Sequence, residues 1–379
     1  MSRSGAYVRQ IEGYRAFIPA PLPPNPPVAI DQEMQTLLSK ADRALGRLDG
    51  SIQVLPNPDL FVLMYVRKEA VLSSQIEGTQ ASFNDLLEAE ADIQRPERPN
   101  DVQEVLNYVK AMNYAIGRLD DLPVSVRLIR EIHGKLMAGV RGSQLQPGEL
   151  RRTQNWIGTP GATINTATFV PPPPSELLKV LGDFETFLHD QTPMPPLIKI
   201  GLAHAQFETI HPFLDGNGRV GRLLITFMLC VQDILSMPLL YLSHYFKQHR
   251  ARYYDLLQAT RDTGDWEGWL KFFLDGVAVV SNQATETARN IVTLREDFRR
   301  VIAENFGRTG ANGAIVLETL FQRPILRVND VRDLLGVSYP AANKLMSQLA
   351  KNGIIEEMTG QVRNRLFRFT PYIALFDGI

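Results

Sequence analysis

The residue types that can do chemistry are concentrated in His211-Pro212-Phe213-Leu214-Asp215-Gly216-Asn217-Gly218-Arg219-Val220-Gly221-Arg222, which brings together a base, a carboxylate, three glycines and two arginines. Gly216 and Gly218 let a backbone approach a phosphate with no Cβ in the way and tolerate positive φ, and Asn217 adds an amide donor. Arg219 and Arg222 are three apart, so on a helix they share one face and can grip successive phosphates. Asp215 would repel a phosphate unless a divalent cation stood between them, and Mg²⁺ bridging one carboxylate to phosphate oxygens is its usual mode. His211, with an ordinary pKa of about 6.5, can accept a proton near neutral pH. Together these groups describe a nucleotidyl or phosphoryl transfer site. Asp-Gly and Asn-Gly are ordinary turn dipeptides, and a histidine before proline often only ends a helix. A turn, however, needs neither the two arginines nor the acid and base beside them.

The flanking sequence supplies the elements that must position this stretch. Leu197 to Ile210 carries its apolar residues mostly on one face at helical period, and Pro212 ends that helix. Leu223 to Leu229 is apolar nearly all round, as a helix buried in a core would be. The glycine loop therefore sits at a helix N-terminus, where unpaired N–H groups and the positive end of the dipole favour an anion. Upstream, a turn at Pro56-Asn57-Pro58-Asp59, with Asp59 as N-cap, leads into a helix through Phe61, Tyr65, Glu69 and Leu72 that ends at Gly78. Near its end, Ser73 and Glu77 are four apart and share a face. A carboxylate there faces the wrong end of the dipole, a cost of about 0.3–1 kcal/mol when exposed. A cationic partner would offset it; without one, Glu77 is an ordinary exposed helix-end residue.

Residues 211–222 resemble the Fic family signature, His-x-Phe-x-Asp/Glu-Gly-Asn-Gly-Arg-x-x-Arg, at every specified position. The resemblance implies an enzyme that moves AMP from ATP onto a Ser, Thr or Tyr hydroxyl of a target protein or of itself, releasing pyrophosphate. It implies that His211 deprotonates that hydroxyl and that Asp215 holds Mg²⁺ on the α- and β-phosphates. Gly216, Asn217 and Gly218 would cradle the phosphates, Arg219 would contact the β-phosphate and Arg222 the γ-phosphate, with Gly221 in the same ATP-binding run and Phe213 as a core anchor. The Doc branch phosphorylates its target instead and carries a larger residue at the second loop glycine. This chain keeps Gly218, which favours AMP transfer over the kinase alternative. Ser73-Ser74-Gln75-Ile76-Glu77-Gly78 is similar to the inhibitory motif Ser/Thr-x-x-x-Glu-Gly/Asn of Fic proteins whose inhibitory helix precedes the core. That similarity implies that Glu77 pairs with Arg222 and displaces the γ-phosphate. Tyr253 and Tyr254 lie on a helix over Arg250 to Leu257, where tyrosines are usually half-buried core. Fic proteins place aromatic residues from this helix at the adenine and ribose. A hairpin is expected between Trp156 and Val170, and the resemblance makes it a flap that pairs with the target segment by strand addition.

The rest of the chain bounds the reading. Its 379 residues allow two or three domains, 44% hydrophobic content suits packed cores, and a net charge of −1 gives no global attraction to nucleic acid or membrane. The single cysteine, Cys230, falls in the apolar helix after the signature as a core thiol, and excludes internal disulfides, which suits a reducing cytosol. With no basic stretch ahead of an apolar N-terminal run and no apolar run of transmembrane length, a cytoplasmic location without a membrane partner is expected. His133, His189, His204, His244 and His249 read as packed structural histidines, because no acid or cysteine set completes a zinc site.

The expected fold class is mainly α. It comprises an N-terminal helical region over 1–115 with an inhibitory helix at about 59–78, a Fic-type helical core over 116–285 with a small β-hairpin flap, and a C-terminal winged-helix domain over 286–379. Residues up to Ile30, rich in proline, are expected to lie extended along the surface. Further helices are expected over 33–48, 82–93, 102–119, 124–137, 266–273 and about 278–306, with a charged connection over 94–100. In the last domain, Ala314 to Phe321, Val328 to Leu335 and Pro340 to Asn352 read as helices. Ile354 to Met358 and Arg363 to Phe369 read as a hairpin, and the whole resembles a winged helix. Lys344, Lys351, Arg363, Arg365 and Arg368 give it a basic face. DNA is therefore one partner open to this domain and a protein the other. An alternative function is a DNA-binding regulator whose Fic core senses nucleotide. A homodimer is left open.

Overall fold

Hydrophobic periodicity becomes a stack of helices in the computed structural model, which describes residues 2–53, 58–91, 93, 101–159, 161–360 and 365–376. In chain order the elements are β1 (Gly5–Arg9), β2 (Arg15–Pro19), α1 (Gln32–Gln53), α2 (Pro58–Ile76), α3 (Phe83–Glu90), α4 (Val102–Arg118), α5 (Val126–Leu136), α6 (Pro174–His189), α7 (Pro196–Ile210), α8 (Asn217–Val231), α9 (Ser243–Gln248), α10 (Arg250–Asp262) and α11 (Trp266–Asn305), followed by α12 (Gly310–Gln322), β3 (Ile325–Arg327), α13 (Val328–Leu335), α14 (Tyr339–Lys351), β4 (Glu356–Glu357), β5 (Leu366–Arg368) and α15 (Thr370–Ala374). The expected turn at Pro56-Asn57 and the connection over 94–100 lie outside the described residues, and Asp59 falls inside the first turn of α2 rather than ahead of it.

α7 and the body of α8 are apolar nearly all round and have almost no solvent face, so they take the centre. α6, α10 and α11 pack on α7, while α2, α4 and α5 pack on α8. That arrangement brings the end of α2 to the start of α8. α1 lays Met34, Ala41, Leu45, Leu48 and Ile52 along α11, and each buried leucine there contributes about 1.5–3 kcal/mol. The two helices expected over 266–273 and 278–306 are one helix of 40 residues, α11. Gly276 marks a close approach rather than a break, since a Cβ there would stand 2.6 Å from the Tyr245 ring. α11 also runs across the boundary expected at 285.

Two regions depart from expectation. The proline-rich start forms an antiparallel hairpin, paired from Gly5↔Pro19 to Arg9↔Arg15, before its prolines begin to dominate. Ala16 and Phe17 are buried, and the Phe17 N–H donates to Val170 O (2.9 Å), joining β2 to the returning side of the flap. At the other end, β3, β5 and β4 form a three-stranded antiparallel sheet in that order beside α12 to α14. The C-terminal unit is anchored on α2 and α3: the Phe376 ring lies 5.6 Å from Tyr65 and 5.9 Å from Phe83, and Lys68 Nζ donates to Phe376 O (2.6 Å). Among the described residues, no helix is long and apolar enough to cross a membrane.

Candidate active site

The turn between α7 and α8 is set by three local choices. α7 ends at Ile210, and His211 takes the left-handed conformation (φ 50°, ψ 60°) ahead of Pro212, which has no N–H to continue the helix. Asn217 closes the loop: its Oδ1 accepts the Phe213 N–H and its Nδ2 donates to Phe213 O, both at 2.8 Å. The amide expected as a phosphate donor is therefore spent on the loop, and the donors left for an anion are backbone N–H groups at the start of α8. Gly216 caps that helix at φ 79°, with Met137 Sδ 2.8 Å from where a Cβ would stand.

His133 supports the turn from α5. Its ring stacks on Phe213 at 3.8 Å, Nδ1 accepts the Gly148 N–H (2.8 Å), and Nε2 therefore carries the proton donated to Asp215 O (3.0 Å). Burial pushes its pKa down to about 4, so it is a neutral packing residue. His204 and His244 are also buried; His189 and His249 are exposed, although the His249 ring still lies 4.5 Å from Tyr245. Gly221 lies one turn into α8, where a Cβ would stand 2.4 Å from Glu208 Oε1. It allows α7 and α8 to meet.

The two signature arginines leave one helix face for different acids. Arg219, almost wholly buried, places Nη1 3.1 Å from Glu104 Oε2 on α4 and Nη2 3.9 Å from Asp215 Oδ1. Arg222 donates from Nε to Ser73 Oγ (2.8 Å), and from Nη2 to Ser73 O (3.0 Å) and Glu77 Oε1 (2.7 Å). The Arg222 side chain is 2% exposed and that of Glu77 32%. Gly78, at φ 96°, turns the chain away after the carboxylate. Burial alone would raise the Glu77 pKa, but Arg222 and then Arg219 outweigh it and hold the carboxyl below its ordinary range. Glu77 Oε1 lies 2.2 Å from the position of a Cβ on Gly218, which places the carboxylate directly over the glycine loop. Glu104 was not legible as a site residue; its only signal is an acid in the buried stripe of an amphipathic helix.

His211 is pushed down to about 3, first by burial and then by the Arg261 and Arg151 guanidiniums, with Glu77 and the Glu208 carbonyl partly offsetting them. The imidazole is therefore unprotonated at neutral pH. Tyr253 is 1% exposed, stacked on Phe246 at 4.5 Å, with its hydroxyl 2.9 Å from His204 Nε2. It packs into the core of the fold. Tyr254 is exposed, sits under Arg250 (5.4 Å), and its phenol is pushed up to about 12 by burial and then by Glu77, so it belongs to the rim of the site. The flap is a loop closed by one bridge, Ile157 to Phe169 (2.8 and 3.0 Å), rather than a hairpin of two strands.

Asp215 Oδ1 accepts the Gly216 N–H (2.6 Å), and its side chain is 39% exposed. A lone accessible carboxylate before a phosphate-sized loop fits Mg²⁺ shared with nucleotide oxygens. Among the described residues no group of three or more His, Cys, Asp or Glu gathers to hold a metal alone. Cys230 is half-buried rather than in the core, and burial pushes its thiol up to about 12, so it is unreactive. In the C-terminal unit, Lys344 and Lys351 are exposed, but Arg365 is paired with Glu357 and bonded to Asn343 (3.0 Å), and Arg363 lies outside the described residues.

Comparison with known proteins agrees with this geometry. Residues 35–117 match the Fic/DOC family N-terminal region and residues 123–229 the Fic/DOC family, together about half of the chain. The Protein adenylyltransferase Fic of Aedes aegypti is 32% identical over 177 residues, covering 45% of this chain and 32% of that protein. That of Drosophila willistoni is 27% identical over 231 residues, covering 55% and 42%. The chain thus spans less than half the length of these curated relatives. A crystal structure of a Fic family protein from Desulfovibrio desulfuricans G20 shares the fold with a TM-score of 0.60 at 20% identity, over 90% of this chain and 97% of that one. A Fic domain containing signaling protein from Bacteroides thetaiotaomicron does so at 0.52 and 17% identity, over 68% and 97%. With the signature loop, its helices and the fold all in agreement, the chain belongs to the Fic/DOC family.

Proposed function

We propose that this protein is an autoinhibited adenylyltransferase that moves AMP from ATP to a protein hydroxyl. The observation that carries the reading is the conjunction of a neutral His211, open backbone donors at the start of α8, and an Arg222 whose guanidinium is held by Glu77. His211 takes the proton of the acceptor hydroxyl, and its oxygen attacks the α-phosphorus of ATP. The bond from that phosphorus to the bridging oxygen breaks, and pyrophosphate leaves. The first-turn N–H groups of α8 bind phosphate oxygens, and Arg219, beside Asp215, adds positive charge near the leaving group. Mg²⁺, held by Asp215 and the nucleotide, would neutralise charge on the phosphates. Glu77 blocks this arrangement by taking the cation that the γ-phosphate needs. The names of the curated relatives support AMP rather than phosphate as the group moved, and Gly218 puts no side chain of its own over the loop.

Intact-mass spectrometry of the protein and of lysate proteins, after incubation with ATP and Mg²⁺, tests the reading. A gain of one AMP that His211→Ala removes is expected. A gain of one phosphate would show Doc-type chemistry, and no gain with Glu77→Gly would refute transfer. We read the C-terminal unit as a winged helix that selects a partner. Lys344 and Lys351 favour DNA, while the Arg365–Glu357 pair and the exposed Glu356 weaken that face, so a protein partner fits better. A duplex titration against salt distinguishes the two. A cytoplasmic setting fits the lone cysteine.

A further inference from the structure

Two buried arginines outside the signature converge on the last turn of α7 and on the flap. Arg151, 3% exposed, donates from Nε to His211 O (2.9 Å) and from Nη2 to Pro172 O, while its own N–H donates to Pro212 O (3.0 Å). No carboxylate pairs with it among the described residues, so its charge is balanced only by carbonyl dipoles, and burial lowers its pKa to about 10. Arg261, from α10, donates from Nη2 to Glu208 O (3.2 Å) and from Nε to Thr209 Oγ1 (3.2 Å), and its guanidinium lies 3.9 Å from the centre of the Phe169 ring. Phe169 is the residue whose bridge to Ile157 closes the flap. Arg151 therefore ties His211 to the chain just after the flap, and Arg261 ties the last turn of α7 to the Phe169 ring on the returning side of the flap.

We propose that Arg151 and Arg261 are positioning residues for AMP transfer, a two-point brace that fixes the reach from the flap, where a target segment would pair, to the imidazole of His211. The proposal rests on the transfer reading above. A cation that served stability alone would sit beside an acid. Arg151 instead grips carbonyls of the turn that carries the base, His211 O and Ile210 O, and holds His211 in a left-handed conformation that costs a non-glycine residue about 1–2 kcal/mol, while Arg261, which also faces the Glu208 carboxylate, grips the Glu208 carbonyl in the last turn of α7. Their charge acts in the same direction as their geometry. His211 is faced by Arg151 from the segment before the flap, Arg261 from α10, Glu77 from the end of α2 and the Glu208 carbonyl from α7, and the two guanidiniums disfavour a proton on the imidazole.

The test is Arg151→Met and Arg151→Lys in the Glu77→Gly protein, with self-modification by labelled ATP as the rate, ATP affinity by calorimetry, and the His211 ring titrated by NMR. Arg151→Met should lower turnover about 10- to 100-fold, as a displacement of about 1 Å would, with ATP affinity changed less than about twofold. The His211 pKa and the acid limb of the rate profile should rise by about one unit, as removing a nearby like charge requires. Arg151→Lys keeps the charge but cannot span two carbonyls, so it should keep the low His211 pKa and recover only part of the rate. Should Arg151→Met fail to fold, Arg261→Met is measured in its place. Unchanged turnover and an unchanged His211 titration overturn the proposal, and so does loss of ATP affinity in step with turnover. If the Glu77→Gly parent transfers no AMP, the transfer reading fails instead; an unmoved His211 titration in the Met variant then overturns the charge argument separately.

Discussion

Replacing Glu77 by glycine should release the enzyme, and the structure sets how far. Glu77 holds Arg222 through one charge-assisted hydrogen bond of 2.7 Å, while Ser73 supplies two further acceptors that the substitution leaves in place. A hydrogen bond to a charged group contributes about 1.5–3 kcal/mol. With about a third of the Glu77 side chain in water, solvent screening favours the lower half of that range. Closure over the loop is then favoured by a factor of about 10 to 40, since about 1.4 kcal/mol is tenfold. Glu77→Gly should therefore raise AMP transfer about 10- to 40-fold, with wild type leaking at the complementary level. Glu77→Gln, which keeps the shape and loses the charge, should give most of the gain. Arg222→Ala added to Glu77→Gly should erase it, because the freed guanidinium is what the nucleotide gains. The assay is incorporation of labelled AMP into the protein itself. If Glu77→Gly is no faster than wild type on itself and on lysate proteins, Glu77 is only an exposed helix-end residue and the brake does not exist.

His211→Ala should lower transfer about 10²- to 10⁴-fold while calorimetry finds ATP affinity nearly intact, since a base acts on the acceptor and not on the phosphates; wild-type turnover would remove His211 from the mechanism. Because the His211 pKa lies below its ordinary value and the unprotonated ring is the active form, transfer by Glu77→Gly should hold its rate as pH falls through about 6.5. Losing Glu77 removes a charge that favours the proton, so an acid limb centred near 6.5 would contradict the burial argument. Asp215→Ala should weaken nucleotide binding with Mg²⁺ but not without it, and equal metal dependence in both proteins would count against a metal role. Tyr253→Phe should lower the stability of the core by about 0.5–1.5 kcal/mol in urea unfolding and leave ATP affinity unchanged, whereas a large loss of affinity would return Tyr253 to the nucleotide.

What could be read from the sequence follows the range of the forces involved. α7, α8, α13 and the end of α2 were legible because period, proline and glycine act within a turn or two of the chain. The signature was legible because its chemistry needs contiguous residues. Asn217 and Gly221 carry structural roles the sequence did not show: their types suit a phosphate, but Asn217 bonds the Phe213 backbone and Gly221 makes room for Glu208, and both contacts depend on packing. Glu104, Arg151 and Arg261 were missed because each reaches the site from a distant segment, with nothing in its neighbours to mark it. The N-terminal hairpin was hidden by composition, since the prolines that follow β2 outweigh the short alternation of β1 and β2. Tyr253 illustrates the limit of adjacency: two neighbouring tyrosines point a helical step apart, and only one reaches the surface.

The close stand of Glu77 over Gly218 has an evolutionary consequence. A Cβ at 218 would collide with the Glu77 carboxylate at 2.2 Å and with Arg222 Nη1 at 2.9 Å, and the end of the glutamate is the part free to swing away. Glu77, just past the end of α2, and the second loop glycine, in α8, are therefore not free to drift independently on the proposed inhibitory reading, although they lie far apart in the chain. Once a side chain arrives at 218, selection can no longer keep the glutamate for its inhibitory value, because its seat is filled. Across relatives with this architecture, a glutamate at the position of Glu77 should be found with glycine at the position of Gly218, and a bulkier loop residue should go with its loss.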